Sequence, residues 1–362
     1  MQNIVEATKS FEAWIGDQVT LIRADLNYKH EQMAADVFRF LRATFYRWAQ
    51  LYPALCPELV DAPKVLSVGD LHAENFGTWR DTDGRLVWGI NDFDEAFELP
   101  YTNDLVRLAA SVKLAIEAKT LSVDVATANE AILDGYGEWL ESGGRPFVLA
   151  EKAGWLRLLA ETQLRDPVAF WEKIDALPRL SMAAPREALA LLKSSLPEPD
   201  VEVKVCARRA GMGSLGRVRI VTAGHWRGGM IAREAKAMAP SACVWATGLK
   251  KFDDIFDQKI RSTAVRCPDP IMRTDKRWVV RRLSPSCAKI ELAEMPKADA
   301  ARFLHAMGRE TANIHLGSRK AIAAVKKDFT RLRKESPNWL GQGVDSMVAQ
   351  TRADWKFWRN AK

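Results

Sequence analysis

The chain lacks the features of several protein classes. Its 362 residues include five cysteines, an odd number without a C-x-x-C pair, so neither a disulfide framework nor a zinc site is expected. No apolar run approaches the length of a membrane span, and the first 17 residues, with three acidic side chains, do not resemble a signal peptide. We therefore expect a cytoplasmic protein that has no contact with a membrane.

Motifs for nucleic-acid binding are also lacking. The 53 basic and 46 acidic residues give a formal net charge of +7, which favours anionic ligands but is modest for this length. The basic segment 319–334 is interrupted by apolar residues at helical spacing, a pattern typical of a solvated helix face. Since there is no zinc finger and no RNA-binding motif, we expect no nucleic-acid partner.

Two polar motifs lie about twenty residues apart. Gly69 to Gly77 reads GDLHAENFG, and Asn91 to Glu95 reads NDFDE. The apolar segments 64–68 and 85–91 precede them and are predicted to be strands. The turn sequence DTDG at 81–84 indicates a hairpin, so the two motifs should lie at adjacent strand ends.

The residue types in these motifs suit phosphoryl transfer. One carboxylate accepts the proton of the attacking hydroxyl, while an asparagine and a second carboxylate hold Mg²⁺ against the phosphates. Converging carboxylates also favour a bound cation, because like charges repel each other. We assign catalytic roles to Asp70 and Asn75, metal binding to Asn75, Asp92 and Asp94, and supporting roles to His72 and Asn91.

A metal-dependent phosphoesterase is the weakest alternative for these motifs. G-D-x-H also begins dinuclear metallophosphoesterase sites, in which the aspartate and the histidine, here His72, share a metal. Such sites need a later G-D-x-x-D and a G-N-H. The chain has only four other histidines, and none of them follows Gly-Asn.

A glycine-rich segment lies far downstream, where Gly211 to Gly216 reads GMGSLG. Strands are predicted on both sides, over 201–209 and 217–222. A dinucleotide-binding turn would be followed by a helix instead, so that interpretation fails. A flap that covers nucleotide phosphates with its backbone N–H groups fits better, and a plain hairpin is the alternative. The assigned nucleotide-binding residues are Gly211, Gly213, Ser214 and Gly216.

A phosphate-covering flap of this kind needs a cation on a neighbouring strand. Arg233 and Lys236 are the candidates, and Lys204 on the incoming strand is a third. Strand alternation places Arg233 on one face, while Lys236 follows the strand predicted over 230–233. A solvated surface position is the alternative for each of these side chains.

The periodicity of the chain predicts an α+β fold. One long amphipathic helix is expected over 27–51, with further helices up to about residue 192. The proline-rich break at 196–200 opens a β-rich segment. We predict an α-rich lobe over 1–195, a small β-rich lobe over 196–290, and helices over 291–362 that return to the α-rich lobe.

When these motifs are considered together and in order, the chain resembles the bacterial domain-of-unknown-function family 2252. The matching blocks are 29–42 (KHEQMAADVFRFLR), GDLHAENFG, NDFDE, 104–111 (DLVRLAAS), GMGSLG, Arg233-Glu234-Ala235, 280–283 (VRRL) and 308–318 (GRETANIHLGS). The motifs of this family look like those of protein-kinase-like and aminoglycoside-phosphotransferase-like enzymes. The chain departs from the family at Arg233, where a lysine is usual.

The resemblance implies a kinase-like fold of two lobes in circularly permuted order, because the catalytic loop precedes the glycine flap. It also implies that Asp104 matches the helix aspartate that steadies the catalytic loop, with support from Arg107. Lys29 and Arg42, which lie in a family block, become possible acceptor-site residues. This model requires Gly211 to Gly216 to lie near Asp92.

The expected function is that of an ATP- and Mg²⁺-dependent phosphotransferase with a small-molecule acceptor. Two alternatives use the same scaffold. A nucleotidyl transferase would move AMP instead of phosphate, which the unusual cation at Arg233 would permit. A nucleotide-binding pseudokinase would act as a partner-binding module, although Asp70, Asn75 and Asp92 argue against that alternative.

Overall fold

The computed structural model describes residues 2–149, 153–164, 166–249 and 252–361. The fold is α+β, as predicted, with 52% helix and 15% strand in small sheets. None of the helices in the described ranges is long and apolar enough to cross a membrane.

Four helices form the N-terminal segment. They are α1 (Ile4–Gln18), α2 (Arg23–Ala35), α3 (Val37–Ala43) and α4 (Phe45–Leu55), followed by a short 3₁₀ turn at Pro57–Leu59. The prediction of one long helix over 27–51 is therefore wrong. Asp36 is extended, and its side chain caps α3 by accepting a hydrogen bond of 2.8 Å from the Arg39 backbone. Thr44 interrupts the chain again before α4, with φ −124° and ψ 39°.

Two small antiparallel sheets carry the polar motifs. β1 (Lys64–Ser67) pairs with β4 (Phe97–Pro100), and β2 (Phe76–Arg80) pairs with β3 (Leu86–Ile90), which also pairs with β5 (Phe147–Val148). A 3₁₀ turn, Ala73–Asn75, connects β1 to β2. The predicted strands and the hairpin between β2 and β3 are confirmed. Since Phe76 lies opposite Ile90, the Asn91 N–H donates to the Asn75 carbonyl at 3.1 Å.

Helices surround these sheets. After β4 come α5 (Tyr101–Glu117), α6 (Val125–Ser142) and, beyond β5, α7 (Gly154–Thr162). α5 is buried on almost every side, which explains why its sequence is apolar apart from a few residues that serve the site. Most of the buried side chains from α1 to α7 belong to one continuous apolar core.

The sheet part is a five-stranded antiparallel sheet with four helices in the same stretch of sequence, two of which, α8 and α9, cover the sheet. Its elements are α8 (Pro167–Asp175), α9 (Arg186–Lys193), β6 (Lys204–Ala207), β7 (Arg219–Trp226), β8 (Gly229–Ala237), α10 (Ala242–Thr247), α11 (Asp257–Thr263), β9 (Arg273–Asp275) and β10 (Trp278–Leu283). The strand order is β6-β7-β8-β10-β9. α8 and α9 precede residue 196 in sequence but pack on the sheet in two separate apolar clusters. α10 and α11 instead bury apolar side chains in the core formed by α1 to α7.

The C-terminal helices pack with the N-terminal ones. We call α1 to α7, β1 to β5 and the three C-terminal helices together the helical part. Two 3₁₀ turns (Leu292–Glu294 and Lys297–Asp299) precede α12 (Ala300–His315), α13 (Ile322–Glu335) and α14 (Trp339–Asn360). The apolar faces of these three helices join the same core as α1 to α7. The N-terminal and C-terminal helices thus share one apolar core.

Candidate functional site

A cleft with a volume of about 370 Å³ lies between the helical part and the sheet part. Both predicted halves of the site line it, although they lie far apart in sequence. From the helical part come Asp70, His72, Asn75, Asn91, Asp92 and Asp94, and from the sheet part come Gly211, Gly213 and Ser214. The glycine segment and the two polar motifs therefore face one another.

The backbone that leads to Asp70 is fixed by a buried carboxylate. Asp104 on α5 accepts hydrogen bonds from the Val68 N–H (2.7 Å) and the Gly69 N–H (3.0 Å). His315 Nε2 lies 3.1 Å from the same carboxylate. Gly69 has φ +80°, and a Cβ there would lie 2.3 Å from the Glu95 carbonyl oxygen, so glycine is required. Asp104, to which the resemblance gives a supporting role, thus fixes the backbone before Asp70.

Asp70 itself is held by Arg107. Arg107 Nε donates to Asp70 Oδ1 at 2.8 Å, and Nη2 contacts the same oxygen. The guanidinium is fully buried, with its central carbon 5.0 Å from the Phe45 ring centre and 4.8 Å from that of Trp48. Burial raises the pKa of Asp70 to about 7, against the opposing effect of Arg107. A carboxylate with a pKa near neutrality suits a general base.

Asn75 and His72 shape the turn that follows Asp70. The His72 N–H donates to Asn75 Oδ1 at 2.9 Å, and the Glu74 N–H donates to His72 Nδ1 at 3.2 Å. Burial, reinforced by the positive charge of Arg42, lowers the pKa of His72 well below its ordinary value. His72 is therefore a neutral side chain with a hydrogen-bonding role in the turn, as its supporting assignment requires.

Asp92 and Asp94 meet at one lysine. Lys236 Nζ lies 3.4 Å from Asp92 Oδ1 and contacts Asp94 Oδ1 more closely. Burial and the Asp92 charge raise the pKa of Asp94 to about 6. For Asp92, burial acts against the charged form, but Lys236 outweighs it and holds the pKa well below its ordinary value. The two carboxylates are thus coupled through one cation.

The donor set fits Mg²⁺ only together with a phosphate ligand. No group of three or more His, Cys, Asp or Glu side chains that could hold a metal ion occurs in the described ranges. Mg²⁺, however, is usually bound by one or two carboxylates, waters and substrate phosphates. Asp92, whose side chain is 37% exposed, and Asn75 both line the cleft, and Asn75 Oδ1 accepts a hydrogen bond from the His72 N–H.

The structure separates the two candidate cations. β8 extends to Ala237, beyond the predicted end of this strand, so Lys236 lies within it on the face directed at Asp92 and Asp94. Arg233 lies on the opposite face, where its Nε donates to the Ser195 carbonyl at 3.0 Å. Arg233 is therefore not brought to the cleft, and Lys204 binds Asp175 near the surface.

The glycine segment reaches Asp70. A Cβ on Gly213 would lie 3.3 Å from Asp70 Oδ2, so the backbone of the segment lies directly over this carboxylate. Gly211 has φ +77°, and a Cβ there would lie 2.5 Å from Arg219 Nη2. The hydroxyl of Ser214 accepts a hydrogen bond from the same Nη2 at 2.6 Å. Gly216, with φ +98°, ends the segment outside the cleft.

The two possible acceptor-site residues differ in position. Lys29 is buried behind the glycine segment, and its Nζ donates to the Gly213 carbonyl at 3.2 Å. Burial lowers the pKa of Lys29 to about 8. Arg42 lines the cleft, and its Nη1 lies 2.6 Å from Glu74 Oε2. Lys29 thus supports the flap, whereas Arg42 is available at the site.

Sequence reasoning missed a buried charge cluster on the sheet. Glu234 is fully buried and is bound by Arg208, Arg219 and Arg281, two of them through Oε1 at 2.8 and 2.7 Å. Burial opposes the charge of Glu234, but Arg281 and then the other two arginines hold its pKa well below the ordinary value. All three arginines line the cleft. Their convergence depends on strand register, with Glu234 opposite both Val221 and Arg281.

By its fold and its cleft, this protein is an α+β protein with a polar site between a helical part and a small antiparallel sheet. Residues 21–164 match the model of a family described as an uncharacterized protein conserved in bacteria (DUF2252). The matched range contains Asp70, Asp92 and Asp104 but not the glycine segment or Lys236. No curated protein and no solved structure matches the chain.

Proposed function

We propose that this protein is an ATP- and Mg²⁺-dependent phosphotransferase with a kinase-like arrangement in circularly permuted order, acting on a small-molecule acceptor. The observation that carries the proposal is the contact between two distant segments. The backbone of Gly213 lies over the Asp70 carboxylate, with 3.3 Å between Oδ2 and an ideal Cβ. A simple glycine-rich hairpin would have no reason to lie against that carboxylate.

The layout of the sheet supports the proposal. In protein kinases a glycine-rich loop covers the nucleotide phosphates, and the lysine that grips them lies on the third strand. Here the glycine segment joins β6 to β7, and Lys236 lies on β8, the third strand of the sheet in sequence. Lys236 is also the residue that contacts Asp92 and Asp94, the two candidate metal ligands.

Each residue of the site has a separate role in the proposed phosphoryl transfer. Asp70 accepts the proton of the acceptor hydroxyl while Arg107 keeps its carboxylate oriented. Asp92 and Asn75, with Asp94, would hold Mg²⁺, which neutralises charge on the transferred phosphoryl group when bound. Lys236 and the backbone N–H groups of the glycine segment stabilise the phosphates.

Nucleotide binding with and without Mg²⁺ tests the proposal. We expect MgATP to raise the melting temperature of the wild-type protein, because a ligand that binds only the folded state stabilises it. The variant Asp92→Ala should lose the metal-dependent part of this shift. Asp61→Ala, which removes an exposed carboxylate on the connection before β1, is the matched control and should behave like wild type.

The fate of labelled ATP distinguishes phosphoryl from nucleotidyl transfer. We expect label from the γ-phosphate, and not from the α-phosphate, on the product. Product labelled only from the α position would instead identify a nucleotidyl transferase. Absence of any Mg²⁺-dependent stabilisation by ATP would contradict both activities.

A further inference from the structure

The cations that line the cleft differ in whether they have a carboxylate partner. Arg42, Arg208, Arg219 and Arg281 line the cleft, and each has a carboxylate partner. Lys289, Arg266 and Arg282 also line the cleft, and within the described ranges none of these three has an ion pair. Arg266 lies instead over the Trp79 and Phe93 rings, whereas the Nζ of Lys289 forms no hydrogen bond with any described residue. An amine with restricted access to solvent and no protein partner is a binding element for an anion.

The backbone of Lys289 is anchored beside the turn that follows Asp70. Lys289 forms an isolated antiparallel bridge with Gly77 at the start of β2. The preceding residue, Ala288, accepts a hydrogen bond of 2.8 Å from the Thr78 N–H. A Cβ on Gly77 would lie 2.7 Å from the Ala288 carbonyl oxygen, so this glycine permits the close approach. Lys289 is therefore held in place by the same strand that begins after Asn75.

Arg42 and Glu74 share this side of the cleft with Lys289. Their charges act on the lysine: burial, and next Arg42, lower the pKa of Lys289 to about 8, while Glu74 and Asp92 oppose the shift. Arg42 Nε is buried and has no hydrogen-bond partner among the described residues, although Nη1 binds Glu74. Two cationic groups with unused donors thus lie near the Asp70 turn.

We propose, resting on the phosphotransferase function above, that Lys289 and Arg42 bind a negatively charged group on the acceptor. The acceptor class is then a small hydroxyl compound that also carries a carboxylate or a phosphate. Its hydroxyl faces Asp70, and its anionic group lies between the two cations. Glu74, which is also in the cleft, repels a second negative charge and can accept a hydrogen bond from a further hydroxyl.

The nucleotide has separate cations. Lys236, Arg219 and Arg281 all belong to the strands of the sheet part, on the side of the glycine segment. Lys289 and Arg42 are joined instead to the turn after Asp70, through Gly77 and Glu74. Because of this separation, we assign Lys289 and Arg42 to the acceptor and the cations of the sheet part to the nucleotide.

Calorimetric binding of simple anionic alcohols tests the assignment. The probes are glycerol 3-phosphate, glycerate and uncharged glycerol, titrated into the protein with and without Mg²⁺ and a non-hydrolysable ATP analogue. We expect wild type to bind at least one anionic probe and not glycerol. Lys289→Met should weaken that binding about tenfold or more, since a hydrogen bond between two charged groups is lost. Whichever anionic probe binds more tightly distinguishes phosphate from carboxylate recognition.

Two further variants serve as controls. Lys297→Met removes an exposed lysine in the turn before α12 and should leave probe binding unchanged. Lys289→Arg retains the charge and should retain part of the affinity. Nucleotide affinity should change less than about threefold in Lys289→Met.

The proposal is overturned if wild type binds neither anionic probe, if glycerol binds equally well, or if Lys289→Met weakens the nucleotide instead. Failure of the phosphotransferase function would look different. In that case the ATP analogue would not bind in a Mg²⁺-dependent manner, whereas the anionic probes would still distinguish wild type from Lys289→Met.

Discussion

The loop before Asp70 and the glycine segment above it meet across the cleft, yet different forces hold them. Two backbone N–H groups of the Asp70 loop donate hydrogen bonds to Asp104, a fully buried carboxylate on α5. The glycine segment is held by scattered contacts, including the Lys29 amine and the Ile22 N–H on its carbonyls at 3.2 and 2.7 Å. One wall of the cleft is thus part of the core, whereas the other rests on the N-terminal helices.

This difference has an energetic basis. Hydrogen bonds to a charged, buried acceptor contribute roughly twice as much as neutral ones, and losing the acceptor leaves buried donors unsatisfied. Contacts to main-chain carbonyls at the edge of a cleft are weaker and can be replaced by water. We therefore expect the Asp70 loop to keep its shape without a ligand, and the glycine segment to adjust when phosphates bind.

The largest predicted effect is that of Asp104→Ala. This change removes the acceptor for two backbone N–H groups and the partner of His315, so the free energy of unfolding should fall by about 3–5 kcal/mol. Urea denaturation measures the loss. Asp345→Ala, which breaks an exposed pair with Lys113, is the control and should cost far less. Equal losses would mean that the Asp70 loop is not held by Asp104.

On the sheet side of the comparison, Lys236→Met should reduce nucleotide affinity by about 10- to 100-fold. The reason is the loss of the cation that contacts Asp92 and Asp94, two carboxylates that line the cleft. Arg233→Met is the matched control, because it removes a cation from the opposite face of the same strand. Its effect on the dissociation constant of MgATP, measured by calorimetry, should be under about threefold. A larger loss of MgATP affinity in Arg233→Met than in Lys236→Met would mean that Arg233 is the cation that binds the phosphates.

The backbone of the glycine segment gives a smaller predicted effect. Gly211→Ala and Gly228→Ala both place a side chain at positive φ, which costs about 1–2 kcal/mol. A Cβ on Gly228 meets open space, whereas on Gly211 it would displace Arg219 from Ser214. Gly211→Ala should therefore lower the melting temperature more than Gly228→Ala and also weaken nucleotide binding. Equal shifts in the two variants would mean that the contact with Arg219 is not important.

Features of the site that depend on local patterns could be predicted from the sequence. The strands before Asp70 and Asp92 and the loop between β6 and β7 follow from alternation and turn residues. The long helix was wrongly predicted because Asp36 caps α3 more effectively than the apolar periodicity suggests.

Features that depend on strand length and register could not be predicted in this way. The choice between Arg233 and Lys236 requires the end of β8, which the sequence pattern placed too early. The arginine cluster on Glu234 requires the pairing of three strands, and no local pattern encodes it. His315 lies on α12, and only tertiary packing brings it to Asp104.

The last prediction concerns pH and the fixed wall of the cleft. Burial raises the pKa of Asp70 to about 7, so the folded protein holds this proton above the pH at which the unfolded chain releases it. The stability that protonated Asp70 contributes to the folded protein therefore declines as pH rises through about 7. Over the same range the fraction of protein in which Asp70 is deprotonated, and so able to act as a base, increases. From pH 7 to pH 8 that fraction roughly doubles.

We therefore expect kcat/KM for ATP turnover to rise about tenfold per pH unit below pH 7 and to level off above it, because kcat/KM reports groups of the free enzyme. Steady-state rates across pH 5.5 to about 8.5 measure the profile. Asp70→Asn should be slow and should lack this rise, since its amide does not titrate. A wild-type profile that is flat across pH 7 would mean that the carboxylate beneath Gly213 is not the general base and that Asp70 only positions the acceptor.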